Sequence, residues 1–226
     1  RSSAASDVYQ RQTGTWSTKA IKEAKRCCDA APAWEMEGTP DRVPEAGSYT
    51  LRPDAKLLHY TSNNTIYGTQ YTDLPDAGGR PLIGDLSSDI ASRPVDVSRH
   101  AVIYAGAQKN LGPSGVCAVI LSPWAVEQSR RVSALRPGGI PSMLSYDLMV
   151  KKGSMFNTPN TFGIYALDRV LAWVEEMGGV EAMTTRNTEK ADLLYAELDR
   201  TGFWRPHAQA GSCLLYTSPS PRDGTK

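Results

Sequence analysis

Apolar residues recur along the chain with two different periods, and the change of period divides it into strands and helices. Ser17 can cap a helix whose apolar positions Ala20, Ile21, Ala24, Cys27 and Cys28 follow one helical face, which predicts Cys27 and Cys28 as core or near-core thiols. From 31 to 53 the sequence is rich in Pro, Gly and acidic residues. It reads as loops around a short strand near Ala33 to Met36. Short extended runs follow at Lys56 to Tyr60, Ile66 to Tyr71 and Pro81 to Gly84, separated by Asn63-Asn64 and by the turn signal Asp76-Ala77-Gly78-Gly79. Ala101 to Ala107 and Gly115 to Leu121 are apolar on both faces, as a sheet buried between helix layers requires. The stretch from Arg130 to Lys152 reads as an irregular connection. Beyond it, Thr158 and Pro159 predict the start of a helix with Phe162, Tyr165, Ala166, Val170, Trp173, Val174 and Met177 inward, ended by Gly178-Gly179. A last helix runs from about Glu181 to Arg200, with Met183, Ala191, Leu194, Tyr195 and Leu198 inward, and stops at Gly202. Strands followed by helices, with buried strands, indicate an α/β layered fold. There are no internal repeats.

Composition narrows the function classes. Lys and Arg number 25 against 24 Asp and Glu, a net charge of +1, and the basic residues are scattered rather than clustered, so nothing points to DNA or RNA. The hydrophobic fraction of 40% and charged fraction of 22% are those of a globular chain with a core, which excludes disorder. No apolar run approaches the roughly 18 to 20 residues that span a bilayer, which predicts a soluble protein. The four cysteines form no CxxC pair, and a reducing compartment fits them. The three histidines, His59, His100 and His207, form no constellation, and no metal-ligand spacing or GxGxxG occurs.

Two polar positions stand where apolar strands end: Leu82-Ile83-Gly84 runs into Asp85, and Val102 to Ala107 runs into Gln108-Lys109. In open α/β sheets ligands bind outside the carboxyl ends of the strands, so an Asp and a Lys at two such ends can face one ligand. By pattern alone, a charge at a strand end is usually a solvated one.

The string Tyr104-Ala105-Gly106-Ala107-Gln108-Lys109-Asn110-Leu111-Gly112-Pro113-Ser114-Gly115 resembles the cofactor-lysine segment of the phosphoserine aminotransferase family, pyridoxal-phosphate enzymes of the class V aminotransferase group. Thr13-Gly14-Thr15-Trp16-Ser17, Asn63-Asn64-Thr65-Ile66-Tyr67-Gly68, Asp85-Leu86-Ser87-Ser88-Asp89, Pro141-Ser142-Met143-Leu144-Ser145-Tyr146 and Asn157-Thr158-Pro159 are similar to further segments of that family, in its order. The resemblance covers about Tyr9 to Phe203.

It implies the fold type I architecture of pyridoxal-phosphate enzymes, similar to aspartate aminotransferase: a large-domain sheet between helices (residues 1–178) and the beginning of a small domain (179–212). It also implies residue roles. Lys109 would bind the cofactor aldehyde covalently and shuttle the proton at the substrate Cα, as a Lys of lowered pKa can. Asp85 would pair with the pyridinium nitrogen and keep the ring an electron sink. Trp16 would stack on the ring, with packing of the first helix as its bland alternative. Thr65 would give a hydroxyl contact and Gln108 a phosphate contact. Asn157 and Thr158 would reach the cofactor phosphate of the neighbouring subunit from a helix N-terminus, where free N–H groups favour an anion. The implied activity is reversible amino transfer between phosphoserine with 2-oxoglutarate and 3-phosphohydroxypyruvate with glutamate, in a cytoplasmic homodimer with shared active sites. Alternatives are another class V enzyme, of the alanine–glyoxylate aminotransferase or cysteine desulfurase type, or a noncatalytic fragment.

Members of the family are longer at both ends, and the chain does not begin with Met, so a piece truncated at both ends, itself inactive, is expected. The tail from Cys213 to Lys226 resembles no part of the family. It looks like a translated sequencing adaptor, which predicts a non-native, disordered terminus.

Overall fold

A computed structural model of the chain describes residues 8–11, 14–45, 47–135, 138–201, 203, 207–209 and 212. The adaptor-like tail, 213–226, lies outside them. The strands are β1 (Val8–Arg11), β2 (Ala30–Trp34), β3 (Leu57–Thr61), β4 (Asn63–Asn64), β5 (Thr69–Gln70), β6 (Leu82–Asp85), β7 (Val102–Gly106) and β8 (Cys117–Leu121). The helices are α1 (Thr15–Cys27), α2 (Pro123–Leu135), α3 (Tyr146–Lys151), α4 (Thr161–Glu176) and α5 (Gly179–Thr201).

Six strands form one sheet in the order β2-β1-β3-β6-β7-β8, parallel except for β8, which runs antiparallel to β7. Alternation then sorts the side chains onto two faces. Leu58, Tyr60, Leu82 and Ile103 share one face and, with Leu86, Ala55 and Tyr71, make the core, over which Val43, Tyr49, Leu51, Leu74 and Val95 are packed. The Pro- and Gly-rich loops expected around 31–53 thus form the cover of this core. His59, Ile83, Asp85 and Tyr104 share the other face, because His59 lies opposite Ile83 and Asp85 opposite Tyr104.

Several elements differ from the sequence expectation, each for a local reason. The run Gly115 to Leu121 is not buried on both faces: β8 is an edge strand with Cys117, Val119 and Ile120 exposed. Ile66 to Tyr71 contains only β5, hairpinned to β4 through a turn closed by Gly68 N–H donating to Asn64 O at 2.9 Å. Cys27 is exposed, since it stands about 120° around α1 from the buried Ile21, while Cys28, on the inner side, is half-buried. Part of the stretch expected to be irregular is helical: α2 starts at Pro123, with the Ser122 hydroxyl accepting from Ala125 N–H at 3.2 Å, and α3 is capped by Ser145.

The helix expected to be capped by Thr158 begins at Thr161. Asn160 is its cap, accepting from Gly163 N–H at 3.0 Å. Its inner line is Gly163, Ala166, Leu167, Val170 and Val174, whereas Phe162, Tyr165, Trp173 and Met177 point outward. Gly178, in the left-handed region at φ 100°, separates α4 from α5. On α5, Met183 and Ala191 are buried as expected, Tyr195 and Leu198 are half-buried, and Leu194 is exposed.

Candidate active site

The carboxyl ends of β3, β6 and β7 lie side by side in the sheet, and the polar residues that follow them meet there. Asp85 closes β6. One of its carboxylate oxygens accepts from Ser87 N–H at 3.0 Å and from the Ser87 hydroxyl at 2.6 Å. The Ser87 hydroxyl oxygen in turn accepts from Gly106 N–H, at the end of β7, at 3.1 Å. This relay ties the Asp85 carboxylate to the neighbouring strand, so the half-buried side chain has a fixed orientation.

Lys109 follows β7, and its Nζ donates to Thr65 Oγ1 at 2.6 Å. Thr65 is buried in the turn between β4 and β5 and shares a second hydrogen bond with Ser88 Oγ at 2.8 Å. Because the ammonium can only donate, the Thr65 hydroxyl accepts from Lys109 and is free to donate to Ser88. Lys109, Thr65 and the segment Asp85 to Ser88 therefore form one connected group, built from three separate stretches of sequence.

The N-terminus of α1 abuts the same turn. The Gly14 backbone lies so close to the Asn64 amide that a Cβ on Gly14 would fall 2.3 Å from Asn64 Oδ1. Asn64 also donates from Nδ2 to Thr69 Oγ1 at 3.3 Å. Ser17, expected as the helix cap, instead closes the first turn from inside it: its hydroxyl accepts from Gly14 N–H at 3.0 Å and donates to Gly14 O at 2.8 Å. Trp16 projects from this turn, 42% exposed as a residue, with the Lys19 ammonium 4.7 Å from the ring centre. The indole therefore presents a surface rather than filling the core beneath α1.

Gln108 is exposed and folds back over Gly106, where an added Cβ would meet its Oε1 at 2.5 Å. Asn157 and Thr158 are exposed, and Asn157 Nδ2 contacts Met143 Sδ at 2.9 Å. Within one chain, then, Lys109, Thr65 and Asp85 come together, the α1 turn that carries Trp16 abuts the turn that carries Thr65, and Asn157 and Thr158 are exposed.

Beneath the group lie residues that sequence reasoning passed over. Asp89 is 2% exposed and accepts from the Ser62 hydroxyl and from Gln70 Nε2 at 3.3 Å, with Arg93 at 3.7 Å. Ser62 also donates from its backbone N–H to Asp85 O at 3.0 Å, so this buried anion braces the end of β6 against β3. His59 Nε2 and the Tyr104 hydroxyl are 2.9 Å apart, and their rings stack at 5.9 Å. Burial lowers the His59 pKa to about 4, against the opposing pull of Asp85, so the ring is neutral near pH 7. Burial, with Asp85 alongside, drives the Tyr104 phenol well above the ordinary tyrosine value, so it too is neutral. In the sequence the signal for them is the density of polar residues at the end of an apolar strand, His59 and Thr61 within β3 and Ser62 to Asn64 directly after it.

Among the described residues no helix is long and apolar enough to cross a membrane, and no group of His, Cys, Asp and Glu is arranged to hold a metal ion.

Known proteins place this arrangement in context. The phosphoserine aminotransferase of Desulfotalea psychrophila is 46% identical over 204 residues, covering 90% of this chain and 54% of that protein. The solved phosphoserine aminotransferase of Bacillus circulans subsp. alkalophilus superposes with a TM-score of 0.85 at 43% identity, over 93% of this chain and 57% of that one. The pyridoxal-phosphate-bound phosphoserine aminotransferase of Trichomonas vaginalis gives a TM-score of 0.82 at 32% identity, over 94% and 58%. The chain spans about half the length of the curated relatives it matches. The sheet thus has the fold of pyridoxal-phosphate-dependent aminotransferases. Residues 8–212, which include every strand and helix described above, match the aminotransferase class-V family, and the chain belongs to it.

Proposed function

We propose that the chain is the cofactor-binding part of a pyridoxal-phosphate-dependent phosphoserine transaminase, exchanging an amino group between phosphoserine with 2-oxoglutarate and 3-phosphohydroxypyruvate with glutamate. The observation that carries this reading is the convergence of Lys109, Thr65 and the anchored Asp85 at three strand ends, in a chain 46% identical to a phosphoserine aminotransferase over most of its length.

The residues fit pyridoxal phosphate by their chemistry: an amine seated on a buried hydroxyl, a carboxylate held by two donors, and an indole with an open face. When bound, the cofactor supplies a carbonyl that takes up an amino group and a conjugated ring that delocalises the electron pair left at the substrate Cα. Lys109 holds the cofactor and moves a proton at Nζ, with Thr65 fixing where that nitrogen rests. Asp85 keeps a proton on the ring nitrogen. The Trp16 indole covers a ring face and excludes water from it. Gln108 contacts the phosphate.

The active form is a cytoplasmic homodimer in which Asn157 and Thr158 serve the partner's cofactor phosphate. Their outward position supports this, as do the exposed apolar side chains Met143, Leu144, Met155, Phe156 and Phe162 on the same part of the surface. Residues 1–178 make the partial large domain, and 179–212 begin the small one.

The test uses the full-length protein carrying this chain and compares amino donors with 2-oxoglutarate as acceptor. Phosphoserine is expected to be used far better than alanine or serine, and Lys109→Ala to lower the rate by about 100- to 10,000-fold. Preference for alanine would move the protein to another class V activity.

A further inference from the structure

On the Asp85 face of the sheet, the side chain directly opposite Asp85 is Tyr104, and two residues back along the strands His59 lies opposite Ile83. The three polar groups therefore line up across β3, β6 and β7 on one face. The Tyr104 phenol is Asp85's neighbour on the adjacent strand and feels its carboxylate, which can only accept, so between these two groups the phenol is the donor. The phenol oxygen is then left to accept from His59 Nε2, 2.9 Å away. With the phenol turned to Asp85, the imidazole proton sits on Nε2, consistent with Nδ1 being a buried nitrogen with no hydrogen-bond partner.

We propose, resting on the functional reading above, that His59 and Tyr104 are positioning residues that act through Asp85, holding its carboxylate aimed at the cofactor ring nitrogen. The order of donors is His59 Nε2–H to Tyr104, then Tyr104 O–H to Asp85. Ser87 supplies two donors to one oxygen of the same carboxylate, which leaves Asp85 acceptor capacity for a ring N–H. Both outer members, the buried His59 and the half-buried Tyr104, are neutral near pH 7, so the line carries orientation without adding a charge that would compete for Asp85. Aromatic stacking between His59 and Tyr104 limits rotation of either ring. A strand face filled only for packing would carry apolar residues at 59 and 104. Here a buried imidazole and a half-buried phenol are polar and ordered toward one carboxylate.

The test measures cofactor affinity rather than turnover, using the full-length protein and two probes: pyridoxal phosphate and its 1-deaza analogue, whose ring carries C–H in place of nitrogen. The parent is expected to bind pyridoxal phosphate more tightly than the analogue, because only the former offers a ring nitrogen to Asp85. Tyr104→Phe keeps the ring and removes the donor, and it is expected to shrink that preference about tenfold by weakening pyridoxal phosphate alone. His59→Leu is expected to shrink it in the same direction, and His59→Gln, which can still donate to Tyr104, to restore it. A merely structural role would weaken both probes equally and leave the ratio unchanged, and an unchanged ratio in Tyr104→Phe overturns the proposal. Should Tyr104→Phe fail to fold, the His59→Leu and His59→Gln pair decides: equal ratios in the two overturn it. Failure of the parent to bind pyridoxal phosphate at all overturns instead the functional reading beneath.

Discussion

Replacing Asp89 by Asn tests whether a buried anion braces the strand ends that carry the site. The substitution keeps the shape and removes the charge. In the parent, one carboxylate oxygen accepts from the Ser62 hydroxyl, and the other faces Gln70 Nε2 at 3.3 Å and Arg93 at 3.7 Å. An amide in the same place can keep the Ser62 bond through its oxygen, but its NH2 then meets Gln70 donor to donor. One buried hydrogen bond to a charged acceptor is lost, worth about 1.5 kcal/mol or more. The Arg93 attraction weakens as well. The Arg93 side chain is 23% exposed and its guanidinium also donates to the carbonyls of Tyr71 and Thr72, so this adds only about 1 kcal/mol. The sum, about 2–3 kcal/mol, corresponds to a fall in Tm of about 4–12 °C for a protein of this size. Thermal unfolding followed by circular dichroism measures it. Adding Gln70→Glu to Asp89→Asn restores a matched donor and acceptor and the local negative charge, and should recover at least half of the loss. A Tm for Asp89→Asn within about 1 °C of the parent would refute the reasoning.

Two further predictions use the same structure. His59 takes up a proton near pH 6.5 in the unfolded chain but only near pH 4 when folded, so between these values the unfolded state binds more protons and stability falls as pH falls. Urea midpoints from pH 7.5 to 4.5 should show His59 contributing a loss of about 2–3 kcal/mol that His59→Gln lacks, whereas His100, also lowered by burial, contributes equally to both proteins; identical pH profiles would contradict this. Gly14→Ala sets a methyl 2.3 Å from an Asn64 amide that is itself buried and held by Thr69, so it should destabilise by about 1–3 kcal/mol and loosen cofactor binding, measured by urea unfolding and by dialysis against pyridoxal phosphate; unchanged values for both would show that the α1 N-terminus does not depend on that close approach.

How much of this was legible in the sequence depended on whether a residue's role is local. The strands β3, β6 and β7 and the helix α5 were readable because their apolar positions repeat within a few residues. Asp85 and Lys109 stood out for the same reason, as polar residues ending apolar runs. The α2 start was also local, a Ser-Pro pair with the hydroxyl capping the helix, and was overlooked among the Gly and Pro residues that follow. By contrast, the outward turn of Phe162, Tyr165, Trp173 and Met177 could not be read from periodicity, since α4 is apolar on more than one side and only packing selects the side turned in. The partnerships of Asp89 with Gln70, of Gly14 with Asn64, and of His59 with Tyr104 join residues 19, 50 and 45 positions apart, respectively, and strand pairing had to be known before they could be seen. Thr65 is intermediate: its family resemblance marked it, but its bond to Lys109 exists only because two strand ends meet.

The central claim is that Lys109 is the cofactor's attachment point. Reduction of the full-length protein with borohydride in the presence of pyridoxal phosphate, followed by proteolysis and mass mapping, tests it most directly. The account predicts the reduced cofactor on the peptide containing Gln108, Lys109 and Asn110, with no labelling after Lys109→Ala. Attachment to another lysine, or undiminished labelling of the Lys109→Ala protein, would contradict it.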